Sequence, residues 1–177
     1  MSNTFFYFAY GSNLLSKRIR INNPSARRVG IGKLADHRLD FITYSTRWKG
    51  ASATIVPHKE HYVWGAIWEI SNNDMPHLDR QEGVHVNIYK PLHVQVQLLN
   101  ESFLECRVYM QTIIPDYVEY IEHLPFERFP SGIYITTILK GAEECNLPEK
   151  YVKFLKRVPK NDYFGNAELK LELDIID

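Results

Sequence analysis

The sequence predicts an α+β protein with a small, mostly antiparallel curved sheet or barrel and flanking helices. Strand-like apolar runs dominate the first two thirds of the 177 residues, whereas the longest helical segment lies after residue 130. Composition is ordinary for a globular protein, and no internal repeat, low-complexity tract or linker divides the chain. We therefore expect a single domain over residues 1–177, which is long enough to bury a hydrophobic core.

Strands are predicted where short apolar or alternating runs end in turn residues. Residues 94–98 alternate between apolar and polar side chains, as expected for a half-buried strand. Residues 63–68 are apolar on both faces, which favours a central strand or a barrel wall, with Gly65 as the site of a bend. Pro91 indicates a sheet edge or a bulge. The predicted strands are 5–10, roughly 36–43, 51–56, 62–70, 88–99 and 103–112.

Helical spacing occurs after Asn13, at 73–82, at about 132–145 and at 148–158. Pro148 opens the last of these segments, in the first turn where proline is tolerated. Residues 113–130 contain three prolines and few helical signals, so we expect an irregular loop or a poorly formed helix there, with a lid as one role. From residue 159 onward the sequence predicts turns.

The first candidate functional element is Tyr10-Gly11-Ser12-Asn13, directly after the aromatic run 5–9. Apolar residues at helical spacing follow this motif, with Ser12 or Asn13 as the candidate N-cap. A strand that breaks at a glycine and opens into a helix directs several backbone N–H groups at one point, which suits carboxylate, phosphate or an oxyanion. The alternative is a strand–turn–helix corner without a ligand.

The second candidate is a carboxylate on an apolar helix face. Met75, Leu78 and Glu82 are spaced so that they share one side of the helix predicted at 73–82. The face that should pack on the core therefore ends in a glutamate. The remaining features of this segment are an N-cap at Asn73, a C′ glycine at Gly83, and three charged residues expected in water, Asp74, Asp79 and Arg80.

Held toward an apolar interior, the Glu82 carboxyl should have a raised pKa, which suits a general base working near neutral pH. The alternative is a solvated glutamate at a helix end, paired with Arg18 or Lys90.

Other reactive residues form weaker patterns. His58 and His61 lie in a polar segment without a cysteine or carboxylate set, so no metal site is expected. Ser12 is not part of a G-x-S-x-G elbow, which argues against a serine hydrolase. Cys106 and Cys145 do not form a disulfide framework, and buried free thiols are expected.

Charge and targeting signals exclude several classes of function. The chain has 21 basic and 21 acidic residues, so no global field attracts nucleic acid or an anionic membrane. Its N-terminus has neither a basic region nor a cleavage site, and no apolar run reaches the length of a membrane span. We expect a cytoplasmic protein that acts on a small molecule, without nucleic-acid or membrane partners.

Two motifs together resemble the γ-glutamylcyclotransferase family. They are Tyr7-Phe8-Ala9-Tyr10-Gly11-Ser12-Asn13-Leu14 and Leu78-Asp79-Arg80-Gln81-Glu82-Gly83-Val84. Further similarity extends over almost the whole chain except residues 113–129. It includes Asn23-Pro24-Ser25-Ala26, Val63-Trp64-Gly65, Tyr89, Cys106-Arg107 with Tyr109, Gly141-Ala142, Asn146-Leu147-Pro148 and Asn161-Asp162-Tyr163.

The resemblance implies a small barrel flanked by helices and a homodimer. It also implies a 5-oxoproline-forming lyase of glutathione metabolism and the γ-glutamyl cycle, acting on γ-glutamyl-amino acids without a cofactor. In such enzymes the Y-G-S-N loop binds the glutamyl group and the glutamate is the general acid/base, which here is Glu82. The substrate-binding residues implied are Tyr7, Phe8, Ala9, Tyr10, Gly11, Ser12, Asn13, Tyr109 and Tyr134.

Three alternatives stay open on the sequence. A γ-glutamylamine cyclotransferase would act on γ-glutamyl-ε-lysine. A non-catalytic module would bind a γ-glutamyl group or carboxylate without turnover, although an apolar helix face ending in Glu82 argues against this. An interaction domain would do neither. Glutathione-specific relatives are disfavoured because they resemble Y-G-S-L rather than Y-G-S-N.

Overall fold

A closed five-stranded β-barrel forms the centre of the computed structural model, which describes residues 2–175. The strands follow the order β1-β3-β2-β4-β5 around the barrel. Their bounds are β1 Thr4–Ala9, β2 Arg27–Ser45, β3 Gly50–Ser71, β4 Tyr89–Leu98 and β5 Phe103–Gln111. The α+β class with a small barrel, expected from the sequence, is confirmed.

Antiparallel pairing connects the barrel strands in all neighbouring pairs except one. β1 pairs with β3 along its whole length and meets β5 in parallel at Tyr7 and Arg107, which closes the barrel. The part of β4 that contains Pro91 pairs with β5 alone, because β4 meets β2 only at Gln97 and Leu98. The proline therefore lies where β4 has no second partner, in agreement with an edge position.

β2 and β3 form one long hairpin that the sequence pattern predicts only in pieces. β2 begins at Arg27 rather than near residue 36, and β3 continues through the polar segment 57–61, predicted to be a turn. Register shifts between Arg28 and Gly30, and between Ala35 and His37, let the long strands bend around the barrel. These stretches form strands because they pair with each other in the hairpin, and their own composition would not predict it.

Gly65 lies at a close approach between strands rather than at a sharp bend. It pairs with Gly32 across the β2–β3 ladder. A Cβ at Gly65 would lie 2.4 Å from the carbonyl oxygen of Ala9. Only glycine therefore lets β1 and β3 pack this tightly, immediately before the loop that follows β1.

Five α-helices accompany the barrel within residues 2–175, namely α1 Ser16–Asn22, α2 Met75–Gln81, α3 Gly132–Glu144, α4 Glu149–Lys156 and α5 Ala167–Leu173. Of these, α1, α2, α3 and α4 fall where helical spacing predicts them. α5 was not predicted, because Gly165 and Asn166 indicated only a turn; in the structure the Asn166 side chain caps the helix by accepting from the Leu169 N–H at 2.8 Å. Leu169 and Leu173 bury the inner side of α5.

α3 packs directly against the loop after β1. A Cβ at Gly141 would lie 2.5 Å from the backbone nitrogen of Leu15, so the helix and the loop are in direct backbone contact there. The Cys145 thiol at the end of α3 lies 3.3 Å from the carbonyl oxygen of Leu14. Cys106 and Cys145 are both buried free thiols, as expected.

Candidate active site

A cavity of about 360 Å³ opens between the loop after β1, the β2–β3 turn and the end of α2. Residues from both candidate motifs line it. The lining set is Tyr7, Tyr10, Gly11, Ser12, Asn13, Arg18, Thr43, Tyr44, Ser45, Thr46, Trp48, Ser52, Ala53, Gln81, Glu82, Gly83, Ile88, Tyr89, Tyr109 and Tyr134. The folded chain thus brings together two segments separated by about seventy residues.

The loop after β1 is a short 3₁₀ turn, Ser12–Leu14, followed by α1. The N–H groups of Leu14 and Leu15 bond to the carbonyl oxygens of Gly11 and Ser12. Within residues 2–175 this leaves the N–H groups of Ser12 and Asn13 outside the hydrogen bonds of the turn. Such free N–H groups beside a cavity can bind a carboxylate or an oxyanion.

Neither Ser12 nor Asn13 is the helix N-cap that the sequence predicts; the N-cap of α1 is Leu15, and neither the 3₁₀ turn nor α1 has a side-chain cap. The buried Asn13 side chain instead donates to the Tyr7 hydroxyl at 3.2 Å and accepts from Gln81 Nε2 at 3.1 Å. The backbone carbonyl oxygen of Asn13 accepts from the indole N–H of Trp68 at 3.0 Å. Asn13 therefore connects β1, β3 and α2, and these bonds hold the loop in one conformation.

Glu82 lies at the C-terminal end of α2, where its N–H bonds to the Leu78 carbonyl at 3.0 Å. Gly83 follows in the left-handed conformation, with φ +65°, as predicted for the C′ position. Leu78 is fully buried, and Glu82, one turn later, is half-buried and faces the cavity. The apolar face thus carries its carboxylate into the cavity.

The surroundings of Glu82 raise the pKa of its carboxyl toward neutral pH. Desolvation raises the pKa of its carboxyl from 4.5 to about 7; the charge of Arg18 opposes this shift and that of Asp79 adds to it. Neither predicted partner forms an ion pair with Glu82 among residues 2–175, since Arg18 lies beyond contact distance and Lys90 is exposed elsewhere. A carboxyl with this pKa can both take and give a proton near pH 7.

Buried tyrosines supply neutral hydroxyls around the carboxylate. Burial raises the pKa of Tyr7, Tyr10, Tyr89 and Tyr134, so all four stay protonated at neutral pH. Tyr134 accepts from the Ala53 N–H at 3.0 Å and Tyr7 accepts from Asn13, so each keeps its own proton to donate. Tyr10 and Tyr89 instead donate to backbone carbonyls, which makes them structural supports.

Two aspartates of the α2 segment are not in water as predicted. Asp79 accepts from the Tyr109 hydroxyl at 2.5 Å and from Arg107 at 2.8 Å, and Arg107 also donates to that hydroxyl at 3.0 Å. Asp74 is buried and accepts from the hydroxyl and N–H of Ser25. Both predictions were wrong because the partners come from distant segments that a helical pattern cannot reveal. The third, Arg80, is exposed as expected.

Comparisons with known proteins agree with this geometry. The model of the AIG2-like family matches residues 62–155, more than half of the chain. Proteins from Mus musculus and Homo sapiens named gamma-glutamylcyclotransferase are each 38% identical over 177 residues, which span 98% of this chain and 88% of the relative. The chain belongs to the γ-glutamylcyclotransferase family.

A solved structure named gamma-glutamyl cyclotransferase supports the same conclusion for the γ-glutamylcyclotransferase fold. It matches with a TM-score of 0.85 at 34% identity, covering 97% of this chain and 98% of the other. The resemblance drawn from the two motifs is confirmed, and the chain is an enzyme of this type.

Not every residue of the γ-glutamylcyclotransferase motif reaches the cavity. Phe8 and Ala9 are fully buried in the barrel and do not line it, whereas the other predicted substrate-binding residues do. Segment 113–130 is irregular, with two 3₁₀ turns, but does not line the cavity either. A role of this segment as a lid stays a prediction. The end of β2 and the β2–β3 turn also line the cavity, from Thr43 to Thr46.

The predicted site residues do not include four residues that line the cavity: Arg18, which the sequence suggested only as a partner of Glu82, and Trp48, Gln81 and Tyr89. Arg18 carried a readable signal, because it lies on the apolar face of α1, four residues after Leu14 and beside Ile19. The same reasoning that selected Glu82 applies to it. Gln81 and Tyr89 stand in stretches that carry the family resemblance, but neither had a predicted role. Trp48 had no signal in the sequence.

No metal cluster is evident near the remaining candidates. His58 and His61 stack on each other, with ring centroids 3.8 Å apart, and meet the edge of Tyr117. Across residues 2–175, no group of three His, Cys, Asp or Glu side chains could hold a metal ion. In that same range, none of the helices has the length and apolar character needed to cross a membrane.

Proposed function

We propose that the chain converts γ-glutamyl-amino acids into 5-oxoproline and the free amino acid, with Glu82 as the general acid/base. The observation that carries this proposal is a carboxyl with a pKa of about 7 beside a loop with free N–H groups. The substrate brings its own nucleophile, the α-amine, so the protein needs no nucleophilic side chain. Ser12 is accordingly a binding residue.

Ring closure follows from folding the glutamyl group so that its amine faces the γ-carbonyl. Intramolecular reactions held in such a geometry gain effective molarities of roughly 10⁵ M in favourable cases. Glu82 takes a proton from the α-ammonium, whose ordinary pKa is about 8. The nitrogen bonds to the γ-carbon and releases a second proton, and the amide C–N bond breaks. Glu82 relays both released protons to the departing amine, which leaves as an ammonium.

The loop and the tyrosines provide the binding groups for this reaction. The N–H groups of Ser12 and Asn13 can hold the α-carboxylate or the developing oxyanion. Tyr7 and Tyr134 keep a free proton each and line the cavity, so they can donate to the γ-carbonyl oxygen or the carboxylate. Tyr109 supports the site through Asp79, one helical turn from the general acid/base.

The leaving group is expected to be an amino acid rather than the ε-amine of lysine. Among the described residues that line the cavity, Glu82 is the only carboxylate, so a lysine leaving group would find no second counter-ion. The β2–β3 turn presents neutral polar side chains, such as Thr43 and Thr46. γ-Glutamyl-alanine should therefore be a better substrate than γ-glutamyl-ε-lysine when both are assayed side by side.

The deciding experiment follows 5-oxoproline and alanine released from γ-glutamyl-alanine by the purified protein. Equal amounts of both products support the proposal. Binding of the substrate without product would instead identify a non-catalytic module. The absence of both binding and turnover, measured by thermal shift and product analysis, would favour an interaction domain.

Three wider expectations belong to the same proposal. A place in glutathione metabolism and the γ-glutamyl cycle follows from the reaction class. A cytoplasmic location can be checked by cell fractionation, and a homodimer by light scattering on the purified chain. We also propose that residues 1–177 act as one domain, which a single cooperative unfolding transition would support.

A further inference from the structure

Arg18 is a buried cation that the reaction outlined above does not use. It lies on α1, five residues after Asn13 of the binding loop, and only 5% of its surface is exposed. It is the only lysine or arginine among the described residues that line the cavity. Its Cζ lies 5.7 Å from the centre of the Trp48 ring, so the guanidinium is held by stacking rather than by an acidic partner.

The hydrogen-bonding capacity of Arg18 is not satisfied by the protein. Its buried Nε has no hydrogen-bond partner within residues 2–175, and none of the ion pairs formed in that range includes Arg18. A guanidinium keeps its charge in proteins, and burying a charge without a partner is costly. A buried guanidinium without a partner, beside a cavity, is suited to bind an anionic group of the ligand.

The place of Arg18 relative to Glu82 and the loop narrows the identity of that anion. Its charge acts on Glu82, since it opposes part of the rise that burial causes in the pKa of that carboxyl. The α-amine that Glu82 must deprotonate is attached to the same carbon as the α-carboxylate of the glutamyl group. Because α1 continues directly from the loop that is proposed to bind this group, Arg18 is on the glutamyl side of the cavity.

We propose that Arg18 binds the α-carboxylate of the glutamyl group through its guanidinium, a conclusion that rests on the proposed function. The planar fork of the guanidinium suits a carboxylate, which can accept two parallel hydrogen bonds. With the carboxylate held there, the N–H groups of Ser12 and Asn13 serve the oxyanion that forms at the γ-carbon. In this arrangement Arg18 binds the α-carboxylate and the loop N–H groups stabilise the oxyanion, two roles that could not be assigned from the loop alone.

The test compares Arg18→Met and Arg18→Lys with the wild type and with Arg20→Met. Arg20 is the matched control, since it lies on the same helix with its Cζ 5.7 Å from the Trp68 ring, yet is exposed and does not line the cavity. Two substrates are used, γ-glutamyl-alanine and γ-glutamyl-alaninamide, because the second has no carboxylate on its leaving group. Binding of 5-oxoproline and of 5-oxoprolinamide is measured by calorimetry.

Arg18→Met should lower kcat/KM by about 10- to 100-fold for both substrates, mainly through KM, as expected for a lost charge-assisted pair. It should weaken binding of 5-oxoproline but not of the amide, and Arg18→Lys should recover part of the loss. Arg20→Met should behave as the wild type. Because the variant removes a buried unpaired charge, its melting temperature should be unchanged or higher, which a merely structural role would not produce.

Three results would overturn this proposal: normal turnover by Arg18→Met, a loss confined to γ-glutamyl-alanine, or equal weakening of 5-oxoproline and its amide. The second result would assign Arg18 to the leaving amino acid. Failure of the proposed function has a different signature, since the wild type would then release no 5-oxoproline from either substrate.

Discussion

Two of the sets of arginine and carboxylate side chains among residues 2–175 are arranged in opposite ways. Asp40 is buried and receives both Arg38, at 3.1 Å, and Arg128, which makes a short contact with its other oxygen. Arg18 and Glu82 share a cavity without forming a pair. The first set is closed by the protein itself, whereas the second leaves a cation and an acid exposed to a ligand.

The presence or absence of a partner distinguishes buried charges that stabilise the fold from buried charges that serve the reaction. Burial alone does not distinguish them. A buried ion pair whose partners are all present fixes the segment that carries them, here the irregular stretch 113–130, through Arg128 and the bond from Arg38 to the Pro115 carbonyl at 2.8 Å. Groups without a partner lower stability and are kept where a reaction needs them. Removing each set should therefore damage a different property.

The largest expected effect is on turnover. Glu82→Gln removes the proton acceptor and donor but keeps the shape, so kcat should fall about 1,000-fold. The fold should persist, since no ion pair within residues 2–175 depends on Glu82. Release of 5-oxoproline and a circular dichroism melt measure the two properties. Full activity in the variant would reject Glu82 as the acid/base.

The closed set should respond in the opposite way. Asp40→Asn leaves Arg38 and Arg128 buried without their carboxylate, which should lower the free energy of unfolding by about 3 kcal/mol. Turnover per folded molecule should be unchanged, because Asp40 does not line the cavity. Urea denaturation and active-site titration check these two statements. A loss of activity without a loss of stability would contradict the distinction between the two sets.

The pH dependence of stability offers a smaller effect with a defined sign. Folding raises the pKa of Glu82 from 4.5 to about 7, so it favours the neutral acid. The resulting stabilisation is complete below about pH 4.5 and is lost as the pH rises through 7. Glu82→Gln cannot ionise, so between pH 5 and pH 8 it should gain about 2 kcal/mol relative to the wild type in urea denaturation. A pH-independent difference would mean that Glu82 titrates normally.

The smallest effect concerns Asp79. This aspartate is paired with Arg107, but its charge also acts on Glu82. Its charge raises the pKa of Glu82, and its removal also leaves Arg107 without a counter-ion. In Asp79→Asn the rising limb of kcat/KM, which lies near pH 7 for the wild type, should move down by less than one pH unit. Asp74→Asn, on the neighbouring turn, is the matched control and should leave the limb in place. An upward shift would reject the electrostatic role of Asp79.

Sequence patterns predicted the elements and site residues that depend on neighbouring residues in the chain. Glu82 could be found because a carboxylate on an apolar helix face is unusual within a few residues of chain, and Arg18 carried the same signal. The first half of β2 could not be found, because its glycines and arginines form a strand only against β3. Asp74 and Asp79 were misplaced for the same reason, since Ser25 and Tyr109 lie far away in sequence.

The backbone contact between Gly141 and Leu15 has a consequence for the order in which the protein is completed. The shape of the loop that follows β1 depends on α3, which is synthesised more than a hundred residues after it. The nascent chain therefore carries its binding motif long before that motif can hold a substrate. We therefore expect a product truncated before α3 to keep both sequence motifs but to lose activity.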